Sequence, residues 1–225
     1  MKLIPVIDLK DGIVVHARQG HRENYQAINT ALCKSSDIFR VIDAFLGIYA
    51  FDTFYIADLN AITDQDNHNP LIARVLTRFP QLTFWIDQGY QKYNEPRRNM
   101  LPVLGSESYR NENISGILAY KNKFILSLDY SNLGALGASS LFSDPSFWPA
   151  NIIIMTLERV GSHRGPDLDK LSEFCRQYPE KNFIAAGGIR HKQDLLALTK
   201  AGIDQALVAS ALHCGAIKAE DITKF

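Results

Sequence analysis

Short apolar runs bounded by turn residues recur along the whole chain, and between them lie stretches whose apolar positions repeat at helical spacing. The runs Leu3 to Leu9, Phe54 to Leu59, Leu82 to Asp87, Leu101 to Leu104, Phe124 to Asp129, Ile152 to Thr156, Phe183 to Ala186 and Gln205 to Val208 each predict a strand. Helix-period segments at Ser36 to Tyr49, Pro70 to Phe79, Asn113 to Tyr120, Leu168 to Tyr178, Lys192 to Ala201 and Ala211 to Ile217 predict the connections. Runs such as Ile152-Ile153-Ile154-Met155 are apolar at consecutive positions, as strands of a parallel sheet covered by helices must be. Eight such strands in 225 residues favour a closed α/β barrel of the (β/α)8, or TIM, type over an open doubly wound sheet. Residues 1–225 are expected to form one domain of that kind. The link from Gln88 to Met100 is polar and carries Pro96, so its helix should be short. Ser131 to Ser140 is rich in Gly and Ser and reads as a loop that could serve as a mobile lid.

Composition narrows the partners. Lys plus Arg and Asp plus Glu balance at 24 each, so no global field draws nucleic acid or an anionic membrane surface to the chain. A small molecule is the expected partner, and nothing in the pattern speaks to oligomeric state. Cys33, Cys175 and Cys214 are odd in number and widely spaced, which argues against a disulfide framework or a zinc knuckle. Asp8 interrupts the first apolar run too early for a secretion signal, and no run approaches the ~18 apolar residues of a membrane span. A cytoplasmic location is the expectation.

Candidate chemistry gathers at the strand ends. Asp8, Asp58, Asp87 and Asp129 close the first, second, third and fifth strands, and in a barrel those ends share one mouth. Each could instead cap the turn that follows it. Asp8 and Asp129 fall on opposed strands, so they can divide proton transfers if their surroundings separate their pKa values. Ala186-Gly187-Gly188-Ile189 after strand seven, with Ala209-Ser210-Ala211 after strand eight, combines close backbone approach with helix N-termini and predicts a phosphate site. The six histidines lack metal-ligand spacing, so no metal is expected. His163-Arg164-Gly165, after strand six, overlooks the mouth, where Arg164 could take a second anion. Ile7-Asp8-Leu9 echoes Leu128-Asp129-Tyr130, and Leu104-Gly105-Ser106 echoes Val208-Ala209-Ser210, a weak half-barrel repeat.

These residues resemble the family of phosphoribosylformimino-aminoimidazole carboxamide ribotide isomerase and the cyclase subunit of imidazole glycerol phosphate synthase. The likeness is carried by Ile4 to Gly12 with Val14-Val15 and Gln19-Gly20, by Asp58-Leu59-Asn60-Ala61, by Asp129, by Thr156 with Gly165-Pro166, and by the two phosphate turns. It implies a cofactor-free Amadori rearrangement with Asp8 as general base, Asp129 as general acid and Thr156 orienting the substrate. It also implies Gly187, Gly188, Ala209 and Ser210 at one phosphate; Gly105, Ser106 and Asp58, with Arg164 from its place over the mouth, are the other candidate substrate contacts. Two motifs depart: the glycine-rich third-strand turn reads Ile86-Asp87-Gln88-Gly89, and Arg159-Val160-Gly161 lacks the acid usual in the sixth loop. A substrate with one phosphate fits this better than one with two. Gly20 to Ile28 is more similar to a divergent branch found in organisms with methanopterin-linked one-carbon metabolism, which implies a role near that pathway. The expected function is thus an isomerase-like enzyme on a small phosphorylated metabolite. The alternatives are a phosphometabolite-binding or assembly protein without turnover, and a true histidine-pathway isomerase.

Overall fold

The last strand pairs with the first, Lys2 with Gln205 through Pro5 with Val208, and this pairing closes the sheet. In the computed structural model, which describes residues 1–93 and 95–222, eight parallel strands form that barrel. They are β1 (Lys2–Lys10), β2 (Thr53–Asp58), β3 (Thr83–Asp87), β4 (Met100–Gly105), β5 (Ile125–Ser131), β6 (Asn151–Thr156), β7 (Asn182–Ala186) and β8 (Gln205–Val208). Every strand read from the sequence is present, in the order expected of a (β/α)8 barrel. β1 and β5 stand opposite each other around the ring.

Four helices of nine to eleven residues cover the outside: α1 (Ile38–Ile48), α2 (Asn69–Arg78), α3 (Leu168–Gln177) and α4 (Lys192–Lys200). Asp37 caps α1 by accepting the Arg40 N–H at 3.0 Å, and Pro70 sits in the first turn of α2, where its missing N–H costs nothing. Two expected helices differ. Ile114–Tyr120 winds as a 3-10 helix and stops where Lys121 and Asn122 take positive φ. The helix expected over Ala211 to Ile217 is a single turn, Ser210–His213, ended at Gly215 with φ +72°.

Two short hairpins decorate the mouth. Ile13–His16 folds back on β1 with Asp8 opposite Val15, and Gln26–Ala27 pairs with it in turn. Gly134–Ala135 folds back on the end of β5. The stretch read as a mobile lid is therefore tied down: the Leu136 N–H donates to the Asp129 carbonyl at 2.8 Å, and Gly137 packs so closely on the Ser106 carbonyl that a side chain there would overlap it. No helix among the described residues is long and apolar enough to cross a membrane.

Strand alternation divides the apolar residues into two layers. Leu3, Ile7, Leu9, Phe54, Ile56, Phe84, Ile86, Leu126, Leu128, Ile152 and Ile154 point outward and pack beneath the helices. Ile4, Tyr55, Ala57, Trp85, Val103, Ile125, Ile153, Ile184 and Leu207 point inward and fill the barrel. Carried to the strand ends, this parity decides which side chains reach the cavity. Asp8 follows Ile4 and Val6 inward, Asp87 follows Trp85, and Asp129 follows Ile125 and Ser127. Asp58 and Thr156 carry the opposite parity.

Candidate active site

One cleft opens at the C-terminal ends of the strands, lined by Asp8, Asp87 and Asp129 on one side and by Gly187, Gly188, Ala209 and Ser210 on the other. Asp8 and Asp129 come from opposed strands, as the sequence predicts. Among the described residues none donates a side-chain hydrogen bond to the Asp8 carboxylate, and burial among barrel atoms pushes that carboxyl up to about 7, opposed by the Arg22 guanidinium. Asp129 is buried and held by three donors: Ser127 Oγ at 2.6 Å, Glu107 N at 3.1 Å and Ser106 Oγ at 3.3 Å. Its carboxyl is also raised far above the usual carboxylate range, first by burial and then by the neighbouring Glu107, with the Ser127 hydrogen bond acting the other way.

A third carboxylate joins them. Asp87 accepts from Tyr55 OH at 3.3 Å and from Gly89 N at 3.0 Å, and burial raises it to about 6. Gly105 explains how two acids come so close. A Cβ on Gly105 would stand 3.1 Å from Asp87 Oδ2 and 3.1 Å from Asp129 Oδ2, so the missing side chain is the space the pair shares. Arg22, from the turn Arg22–Asn24 after the first hairpin, is ion-paired with Glu107 at the cleft. Arg22, Tyr55 and Glu107 were not singled out from the sequence. Inward parity marks Tyr55, but Arg22 and Glu107 lie in loops, where no period applies.

The other side is built of backbone. Gly187 and Gly188 have φ of +98° and +83°, and a Cβ on either would run into the carbonyls of Thr156 or Gly165. Ser210 opens the turn that follows β8, and its hydroxyl lies 3.2 Å from His16 Nε2. His16, His163 and His213 also line the cleft, though only His163 is placed there by the sequence pattern. His213 is buried, with Nδ1 3.4 Å from Thr30 Oγ1, and burial lowers it to about 4.

Other predicted contacts lie elsewhere. Asp58 is fully buried with outward parity: it accepts from Ala61 N, His68 N, His68 Nδ1 and Gln88 Nε2, a closed set that ties β2 to the start of α2. Ser106 and Gly105 serve Asp129 and Asp87 from beneath rather than lining the cleft. Thr156 points outward, its hydroxyl 3.4 Å from Asp167 Oδ2. Arg164 is exposed and outside the lining, and its neighbour His163 faces the cleft instead. No group of three or more His, Cys, Asp or Glu among the described residues could hold a metal ion.

Comparison with known proteins bears on the family of the whole chain. A family model described as "Histidine biosynthesis protein" matches residues 2–132 and 148–218. An uncharacterised protein of Methanocaldococcus jannaschii is 31% identical over 99% of this chain and 97% of its own. Phosphoribosyl imidazole-4-carboxamide isomerases are more distant: that of Caldicellulosiruptor bescii is 24% identical over 99% of this chain and 98% of its own. That of Thermococcus kodakarensis is 21% identical over 99% and 96%.

Proposed function

This chain belongs to the histidine biosynthesis protein family, and we propose that it is a cofactor-independent isomerase of a small phosphorylated metabolite, working by proton transfer between Asp8 and Asp129. The observation that carries the reading is the pair itself: two inward carboxylates on opposed strands of one cleft, each raised by burial towards neutral pH. In an aldose-amine rearrangement the acid protonates the ring oxygen as the C1–O bond breaks, leaving an open-chain iminium. The base then removes the C2 proton to give an enolamine, which becomes the aminoketose as C1 takes up a proton and the C2 hydroxyl gives one up. Asp129, proton-retaining through burial and the neighbouring Glu107 in spite of the donors that hold it, suits the first role; Asp8, whose burial the Arg22 guanidinium opposes, suits the second. Gly187, Gly188, Ala209 and Ser210 are proposed to hold the phosphate on exposed N–H groups.

A single phosphate is favoured because the opposite side of the cleft carries the buried acids Asp8, Asp87 and Asp129, while the arginine there, Arg22, is already paired with Glu107. The altered third-strand turn, Ile86-Asp87-Gln88-Gly89, and Arg159-Val160-Gly161 in place of the sixth-loop acid favour, as the second reading, a phosphometabolite-binding protein without turnover, and they weigh against the histidine-pathway bisphosphate. The proposed place near methanopterin-linked one-carbon metabolism rests on resemblance to the divergent branch alone.

The test is thermal stabilisation by a panel of phosphosugars, aminosugar phosphates, nucleotides and furan or pterin phosphates, followed by turnover assays on the hits. A ligand at a hundredfold excess over its Kd adds about 2.7 kcal/mol, a plain shift. The isomerase reading expects a hit that Ser210→Asp abolishes and a reaction that Asp8→Asn and Asp129→Asn each stop. Binding without any reaction would leave the second reading; no stabilisation by any phosphate would remove both.

A further inference from the structure

The Arg22 guanidinium pairs with Glu107, and the two side chains are only 25% and 23% exposed. Their pairing joins the loop after β1 to the turn after β4. Lys10 Nζ fastens the loop from behind, donating to the Arg22 carbonyl at 2.9 Å. Glu107 grips in two directions, since its side chain holds Arg22 while its backbone N–H donates to Asp129 Oδ2 at 3.1 Å. The other arginine lining the cleft, Arg190, is held by Asp194 through its backbone N–H, Nε and Nη2. Arg22 is thus the cleft-lining cation on the carboxylate side.

We propose that Arg22 is a positioning residue for the acid–base pair: anchored by Glu107, it stands beside Asp8 and keeps that carboxylate the base, while Glu107 beside Asp129 keeps the latter the acid. The assignment rests on the reading of Asp8 and Asp129 as the reacting groups. Two carboxylates in one low-dielectric cavity compete for a proton, and unlike neighbours are what assign it to one of them. Asp8 faces Arg22, Tyr25 and Tyr55. Asp129 faces Glu107, Asp87 and Tyr55, with hydroxyls from Ser106 and Ser127. Arg22 shares the cleft with Asp8 and its charge opposes the burial of that carboxylate, whereas Glu107 and Asp87 act on Asp129, so the asymmetry between the two acids is set in part by loops outside the barrel strands.

The experiment is a carboxyl 13C NMR titration of the ligand-free full chain in the wild type, Arg22→Gln, Arg22→Lys and Glu107→Gln. Arg22→Gln should move the Asp8 midpoint up by about one pH unit or more, the effect typical of losing a nearby opposite charge. Arg22→Lys should recover most of that, and Glu107→Gln should lower the Asp129 midpoint by removing a repelling charge. With a substrate in hand, the acidic limb of kcat/KM should move up with the Asp8 midpoint in Arg22→Gln. An Asp8 midpoint that stays put in Arg22→Gln overturns the assignment, even in a chain that proves to be an active isomerase. A chain that turns nothing over but shows the shifted midpoint bears against the isomerase reading alone. Should Arg22→Gln not fold, an unmoved Asp129 midpoint in Glu107→Gln overturns the proposal just as well.

Discussion

Ser106 and Asp129 bind each other twice: the Ser106 hydroxyl oxygen accepts the Asp129 backbone N–H at 2.9 Å and its proton is directed to Asp129 Oδ2 at 3.3 Å. One buried hydroxyl therefore fixes both the main chain and the carboxylate of the proposed acid. Ser106→Ala would strand a buried N–H. The expected loss of stability is about 1–3 kcal/mol by urea unfolding, together with an Asp129 midpoint shifted upward because a donor to its ionised form is gone. An unchanged midpoint would show that the hydroxyl serves the backbone alone.

Gly105 separates Asp87 from Asp129, with room for neither to give way to a methyl group without moving. Gly105→Ala should leave the barrel folded, since the backbone there is extended, yet splay the two carboxylates by a few tenths of an ångström. Misplacement on that scale costs reacting groups on the order of tenfold or more in rate. The check is kcat on the substrate the panel identifies, with circular dichroism confirming the fold; full activity would remove Gly105 from the machinery.

Gly188 meets the Gly165 carbonyl so closely that Gly188→Ala must push the loop after β6 away, and its φ of +83° adds strain for any side chain. Affinity for inorganic phosphate, measured by calorimetry, should fall at least about tenfold, equivalent to ~1.4 kcal/mol. Retained affinity would place the phosphate elsewhere in the cleft.

Asp8 and Asp87 sit at about 7 and about 6 against an unfolded value of 3.8. Because the folded state binds these protons more tightly, the stability they contribute is complete below about pH 4 and is lost as pH rises through 6 and 7. Buried His213 has the opposite sign: lowered from 6.5 to about 4, it contributes stability above pH 6.5 that is lost on acidification. Between pH 6.5 and 8 the carboxylates alone set the slope, so the wild type should become less stable across that window. Asp8→Asn should flatten the curve and raise the melting temperature at pH 8 by several degrees, about 1–3 kcal/mol, while abolishing turnover. A mutant no more stable than the wild type at pH 8 would mean that Asp8 is not held in a charge-hostile site.

His68 bonds Asp58 through Nδ1 at 2.7 Å and accepts the Gly12 N–H on Nε2 at 2.8 Å, so it clamps the first hairpin to the end of β2. His68→Ala removes one of the four donors that hold buried Asp58 and should cost about 1–3 kcal/mol in a denaturant titration. Phosphate affinity should survive in the folded fraction, because neither residue lines the cleft. A selective loss of affinity would give Asp58 the substrate role that its outward parity argues against.

Much was legible in the sequence because it is periodic. Apolar runs at intervals gave eight strands and their helices, and the Gly187-Gly188 and Ser210 turns declared themselves by residue type. The acids at the strand ends were visible too, and parity counted along each strand separates Asp8, Asp87 and Asp129 from Asp58 and Thr156 without coordinates. What the tertiary structure alone decided lies where no period runs. Arg22 and Glu107 are 85 residues apart and meet because two loops converge on one mouth. Gly105, in sequence a candidate substrate contact, proved to be the gap into which two carboxylates fit, since closing the barrel sets β3, β4 and β5 side by side. Local pattern dictates which way a side chain points, whereas ring closure dictates what it meets there, and the electrostatics of this site depend on the second.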